Sequence, residues 1–149
     1  MRLDSLHLTL VFVGAVSPDQ LGVLQEVAGK IRSEPFDLRL DRVGCWPHNR
    51  IVWVGCSKLP TRQHRLSDAL TSGLEQAGFV LDKRPFVPHV TLVRNARCDS
   101  LPELVQPILW RVSDFVLVES FLQPSGARYR ELDRWPLSAA PDKKNSKGC

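Results

Sequence analysis

The stretch Phe86-Val87-Pro88-His89-Val90-Thr91-Leu92-Val93-Arg94 has a near copy at Leu6-His7-Leu8-Thr9-Leu10-Val11-Phe12-Val13. Each is an apolar run that carries a His and a Thr two residues apart. In a β-strand, residues i and i+2 project from the same face about 6.6 Å apart. Each run therefore presents an imidazole beside a hydroxyl and turns the intervening residue the other way. The chain of 149 residues holds only four His and four Thr, so two such pairs in matching contexts are improbable by chance. One His on an apolar strand reads as a core residue; the matched pair reads as a site.

Outward from these strands the chain alternates helix and strand signals. Gly14 ends the first strand, Leu6 to Val13. Ser17 then reads as an N-cap, with Pro18 at the first helical position and Gln20 completing a capping box. Leu21, Leu24, Val27, Ala28 and Ile31 hold helical spacing up to Glu34-Pro35. Phe36, Leu38 and Leu40 alternate as a half-buried strand. The Pro47-His48-Asn49 turn leads into Ile51 to Cys56, apolar on both faces as a central strand would be. These two strands are expected to pair as a hairpin.

A second helix opens at Pro60-Thr61, buries Leu66, Ala69, Leu70, Leu74 and Ala77, and closes on Gly78. After the Phe86 to Arg94 strand, a short helix is expected near Ser100, irregular at Pro107. Asp114 to Leu122 and Arg128 to Pro136 read as strands joined through Pro124-Ser125-Gly126. From Ala139 the chain is polar, without apolar period, and is expected to be disordered.

The expected architecture is α+β: one domain over residues 1–138, with two pseudo-symmetric lobes of antiparallel sheet around a central cleft. Its repeated unit is strand, helix, strand, strand, at about residues 6–56 and 86–136, and residues 139–149 are tail. A strand and helix precede the second unit but not the first. The first lobe is thus expected to be incomplete, with apolar residues of the Ser17 to Ser33 helix or the His7 strand more exposed than their counterparts.

Bulk composition narrows the function only by exclusion. The net charge is +4, of which +2 sits in the tail with Lys143, Lys144 and Lys147 against Asp142. The remainder is too small to argue nucleic-acid binding from charge alone. Cys45, Cys56, Cys98 and Cys149 form no Cys-x-x-Cys pair, so neither a disulfide framework nor a metal site is expected, and the thiols are read as reduced. There is no signal-peptide pattern and no apolar run of 18 residues, which points to a soluble cytoplasmic protein.

Two imidazoles facing each other, each beside a hydroxyl, suit phosphodiester hydrolysis. One neutral His takes a proton from the attacking water, and the other, protonated, gives one to the departing ribose oxygen. The Thr hydroxyls can donate to the non-bridging oxygens. This scheme requires no metal. His48, in a turn, and His64, on a polar helical face, are given no role.

The two motifs His7-Leu8-Thr9 and His89-Val90-Thr91 stand 82 positions apart, with Arg84-Pro85-Phe86 and Pro88 before the second and Arg94 after it. Together with Gly44-x-x-Pro47, Trp53-Val54-Gly55 and Gly126-Ala127-Arg128-Tyr129, they resemble the 2H phosphoesterase superfamily over roughly residues 2–137. The nearest branch is the RNA 2′,3′-cyclic phosphodiesterases, also called 2′-5′ RNA ligases. The resemblance implies His7 as general acid and His89 as general base, with Thr9 and Thr91 on phosphate and Arg94 on the substrate. It implies opening of a 2′,3′-cyclic phosphate on RNA ends or small nucleotides to a 2′-phosphomonoester, with no cofactor and no membrane partner. A monomer is expected, with association if the first lobe is incomplete. Members of that family usually carry a strand and helix before the first motif. The alternatives are a non-catalytic module that holds nucleotides or RNA ends in the same cleft, and 2′-5′ RNA ligation at the same site. Tyr129 and Phe12 are candidates for stacking a base, Trp46 for facing the cleft, and Arg84 and Arg97 for substrate contact. The other Trp residues are read as core.

Overall fold

A computed structural model describes residues 2–85, 87–104 and 106–139. After a 3₁₀ turn at Leu3–Ser5, the elements are helix α1 (Pro18–Lys30), strands β1 (Phe36–Leu40), β2 (Arg42–Trp46) and β3 (Ile51–Gly55), helix α2 (Thr61–Gln76), and strands β4 (His89–Val93), β5 (Ile108–Val112), β6 (Asp114–Gln123) and β7 (Gly126–Pro136). All strand pairing is antiparallel: β2-β3-β4 form one sheet, β1 pairs with β5, and β6 pairs with β7. The class is α+β, as expected from the sequence.

Local chemistry accounts for the helix ends. Ser17 Oγ accepts from the Gln20 amide while the Gln20 side chain accepts from Ser17 N–H, and Pro18 occupies the first turn. The last turn ends at Ile31, whose N–H donates to Ala28, several residues before Glu34-Pro35. At the end of α2 the Gly78 N–H donates to Glu75 and the Phe79 N–H to Leu74, a Schellman closure with Gly78 at φ +93°. Ser17→Ala removes one half of the capping box and is expected to lower stability by about 0.5–2 kcal/mol in chemical denaturation, with Ser17→Gly losing only a few tenths.

The core is continuous from the helices to the motif segments. Leu66 and Leu70 of α2 and Ala28 of α1 pack with Phe36, Leu38, Phe115 and Leu137, and Leu8 and Leu10 rest against them. Leu40, Val54 and Val90 form a second cluster, which Leu8 also joins. The helices approach closely where Gly73 meets Val27: a Cβ at Gly73 would lie 2.9 Å from Val27 Cγ1.

Several expectations are corrected. The Leu6 to Val13 segment is not a laddered strand: it makes a single bridge, Leu8 to Val90, and is otherwise irregular. Leu10 and Val11, adjacent in sequence, both pack on the core, so strict alternation fails between them and resumes with Phe12 exposed and Val13 turned inward. The expected β1–β3 hairpin does not form, because β2 intervenes and takes β3 as its partner while β1 pairs with β5. The switch occurs at Asp41, whose carboxylate accepts from both the amide and the hydroxyl of Ser57; those bonds hold its pKa below the ordinary value.

The helix expected near Ser100 is absent, and no regular element is found from Arg94 to Pro107 among the described residues. Pro102 and Pro107 leave too short a run to offset helix nucleation. The second strand-helix-strand-strand unit is therefore β4, an irregular stretch, then β5, β6 and β7. The β6–β7 hairpin matches the sequence reading. Phe86 and the tail from Ala140 lie outside the described residues.

Two further corrections concern side chains. Cys45 and Cys98 are joined as a disulfide with Cα atoms 5.8 Å apart, within the span such bonds bridge. The turn residue Arg50 brings them together, because its carbonyl accepts from Ala96 N–H and its guanidinium donates to Asn95 and Ala96 carbonyls. Trp110 is exposed on β5, together with Ile108 and Leu109, instead of lying in the core. On α1 Val23 is exposed while Leu24 and Ala28 are buried, and on α2 Leu66, Leu70 and Leu74 are buried. No helix among the described residues is long and apolar enough to cross a membrane.

Candidate active site

The Leu8–Val90 bridge brings the two motifs together. It is antiparallel, so its register sets His7 across from Thr91 and Thr9 across from His89. Residues opposite one another in such a pair share a face. All four motif side chains thus fall on one face, while Leu8 and Val90 point away into the core. Val90 is held there from its other side by Val54, and Thr91 by Trp53. Thr91 is buried, whereas His7, Thr9 and His89 are half-buried and reachable by solvent.

The two imidazoles are held alike. His7 Nδ1 lies 2.8 Å from the Ser5 carbonyl oxygen, and His89 Nδ1 lies 2.7 Å from that of Val87. A carbonyl can only accept, so each Nδ1 must carry the hydrogen. In the neutral ring that leaves Nε2 as the free basic nitrogen, and in the charged ring it makes Nε2 the second donor. Each ring also has an aromatic wall. Tyr129 of β7 lies 4.6 Å from His7, centroid to centroid, and the indole of Trp46, at the end of β2, meets His89 edge-on at 4.5 Å.

The remaining candidates divide. Arg94 lies one residue past β4, exposed and without a carboxylate partner among the described residues; it is left available to an anion. Arg84 is engaged by Asp82, which accepts from its backbone and its guanidinium, and that pairing depresses the Asp82 pKa. Arg97, His48 and His64 are exposed and carry no contact of the site. Phe12 is 69% exposed and free to meet a ligand. Among the described residues, no three His, Cys, Asp or Glu side chains converge as a metal-ligating group.

Sequence reasoning named Trp46 as the indole facing the cleft, and it stands against His89; the support beneath Trp46 was not foreseen. Trp46 rests on Trp53 with centroids 5.3 Å apart, and the Arg42 guanidinium sits over Trp53 at 5.8 Å. Gly44 and Trp53, directly opposite one another, stood in the sequence only as parts of two separate motifs.

Paired His-x-Thr segments about one antiparallel register, on an α+β scaffold, are the arrangement expected of a 2H phosphoesterase. The family model of the 2′-5′ RNA ligase superfamily matches residues 1–122, and the chain belongs to that superfamily. It is 37% identical over 136 residues to the RNA 2′,3′-cyclic phosphodiesterase of Escherichia coli strain K12, covering 91% of this chain and 77% of that one. It is 30% identical over 141 residues to the protein of the same name from Archaeoglobus fulgidus, covering 87% and 78%. Among solved structures, E. coli LigT complexed with 3′-AMP matches with a TM-score of 0.84 at 36% identity, covering 91% of this chain and 79% of that one. TT0787 of Thermus thermophilus matches with a TM-score of 0.78 at 28% identity, covering 89% and 78%.

Proposed function

We propose that the chain hydrolyses 2′,3′-cyclic phosphates, on RNA ends or on nucleosides, to 2′-phosphomonoesters without a metal ion. The observation that carries this reading is the pair of imidazoles on one face of the Leu8–Val90 register, each with Nδ1 tied to a carbonyl and Nε2 free. His89, neutral, takes a proton from water as its oxygen bonds to phosphorus. The P–O3′ bond breaks, and His7, protonated, donates to the leaving O3′. Thr9 and Thr91 donate to the non-bridging oxygens, and Arg94 faces the phosphate or the ribose. The imidazolium and guanidinium charges take the place that a cation would otherwise fill. Exposed Phe12 offers a stacking surface for a base.

The relatives' name and the nucleotide-bound neighbours, with 3′-AMP and with ATP, support a nucleotide or RNA end as substrate. A cytoplasmic location belongs to the same proposal, as does a monomeric state. In a reducing compartment Cys45 and Cys98 would stand as neighbouring thiols. The superfamily's description favours one second reading, 2′-5′ ligation, in which a 5′-hydroxyl replaces water as the nucleophile, P–O5′ forms as P–O3′ breaks, and the same two imidazoles move the protons.

Purified protein is expected to open a 2′,3′-cyclic nucleotide at an undiminished rate in excess EDTA, followed by chromatography of the product. Binding without turnover by folded protein would replace the enzyme with a non-catalytic binding module. Loss of turnover in EDTA would remove the metal-free mechanism.

A further inference from the structure

The face that carries His89 and Thr91 continues across β3 and β2. Register places Trp53 opposite Thr91 and Gly55 opposite His89 on β3, and Gly44 opposite Trp53 on β2. The large ring of Trp53 lies flat over Gly44. A Cβ there would fall 2.2 Å from Trp53 Cζ2, so only glycine admits the indole. Trp53 is 8% exposed, and its Nε1 is buried with no hydrogen-bond partner among the described residues. An unpaired buried N–H is a cost in stability, which the ring's position incurs. Arg42 covers the ring from β2, and Trp46 leans on it at 36°. The far side of Trp46 meets the His89 imidazole edge-on, at 81°.

We infer that Trp46 is a positioning residue for His89, held in turn by Trp53 on the glycine platform of Gly44. The inference rests on the reading of His89 as general base. The Val87 carbonyl fixes one nitrogen of the ring but leaves rotation about that hydrogen bond open. An aromatic wall against the ring removes this freedom and sets the direction of Nε2. His7 receives its wall from Tyr129, from a different sheet, so the two imidazoles are oriented by independent supports. A ring misdirected by about 1 Å can cost on the order of 100-fold in rate while leaving the substrate's own contacts in place.

The test uses the full chain and a 2′,3′-cyclic nucleotide. Trp46→Ala is expected to lower kcat by about 10- to 100-fold with KM changed by less than about threefold. Trp46→Phe, which keeps an aromatic edge against His89, is expected to recover most of that loss. In the His89→Ala background, Trp46→Ala is expected to cost nothing further, because a residue that acts through His89 has no effect once His89 is gone. Histidine NMR supplies a readout independent of turnover: Trp46→Ala should move the ring C–H resonances of His89 and leave those of His7 in place. Wild-type kcat in a folded Trp46→Ala protein, unmoved His89 resonances, or a loss that persists in the His89→Ala background overturns the inference. Should the wild-type protein show no turnover, the catalytic reading fails, and the NMR comparison alone decides whether Trp46 orients His89.

Discussion

Alanine at His89 will lower kcat/KM for a 2′,3′-cyclic nucleotide by about 10² to 10⁴, and alanine at His7 will do the same. Each imidazole is tied at Nδ1 to a carbonyl two residues upstream, so its only free nitrogen is the one presented to solvent and substrate. Neither ring supports the core, which the neighbouring Leu8 and Val90 fill, so the thermal melt of both variants should stay close to wild type. Loss of kcat with KM little changed marks groups that act in the transition state. Because one ring must be neutral and the other charged, the wild-type profile of kcat/KM against pH should be bell-shaped. Each single variant should lose one limb of the bell. A flat wild-type profile between about pH 5 and 9 would exclude the pairing.

Leu66→Ala is expected to cost about 2–5 kcal/mol of stability. Leu66 is 1% exposed, and its cluster joins α2 to β1 through Phe36 and Leu38 and to the last strands through Phe115 and Leu137. These elements are far apart in sequence and have no other way to close around the cavity that the substitution leaves. Leu8 and Leu10 lean on the same cluster, so the floor beneath His7 and Thr9 loosens with it. A fall in the urea midpoint with unchanged kcat in the remaining folded protein would show that the floor carries stability alone. A fall in both would tie the cleft to the core. A change under about 1 kcal/mol would refute the packing account.

How much of this was visible in the chain follows from which interactions are local. The capping box at Ser17 and Gln20, the Gly78 closure of α2 and the β6–β7 hairpin are decided within a few residues, and each stands where spacing put it. The juxtaposition of the two motifs was legible because the sequence repeats; the roles of their residues rest on the proposal. β2 was invisible. Its Arg-Val-Gly-Cys-Trp run has no apolar alternation, since Gly44 yields its volume to Trp53 and Cys45 is tied to Cys98. Without β2 the pairing of β1 with β5 could not be deduced either, because nothing in Phe36–Leu40 specifies a partner some seventy residues onward. The aromatic walls on the imidazoles depend on three strands meeting, which no single stretch encodes.

The antiparallel register about Leu8 and Val90 makes the two halves of the site near mirror copies: hydroxyl across from imidazole, then imidazole across from hydroxyl. On the proposed roles, a turnover begins with His7 charged and His89 neutral. It ends with His7 neutral and His89 charged. The protein therefore leaves each cycle in the reflection of its starting state, already set for the opposite direction of reaction. A proton must pass from one ring to the other before the next substrate is opened. Both imidazoles are half-buried and reach solvent, so water and buffer can carry that proton, and the direction the site runs is reset from outside the chain.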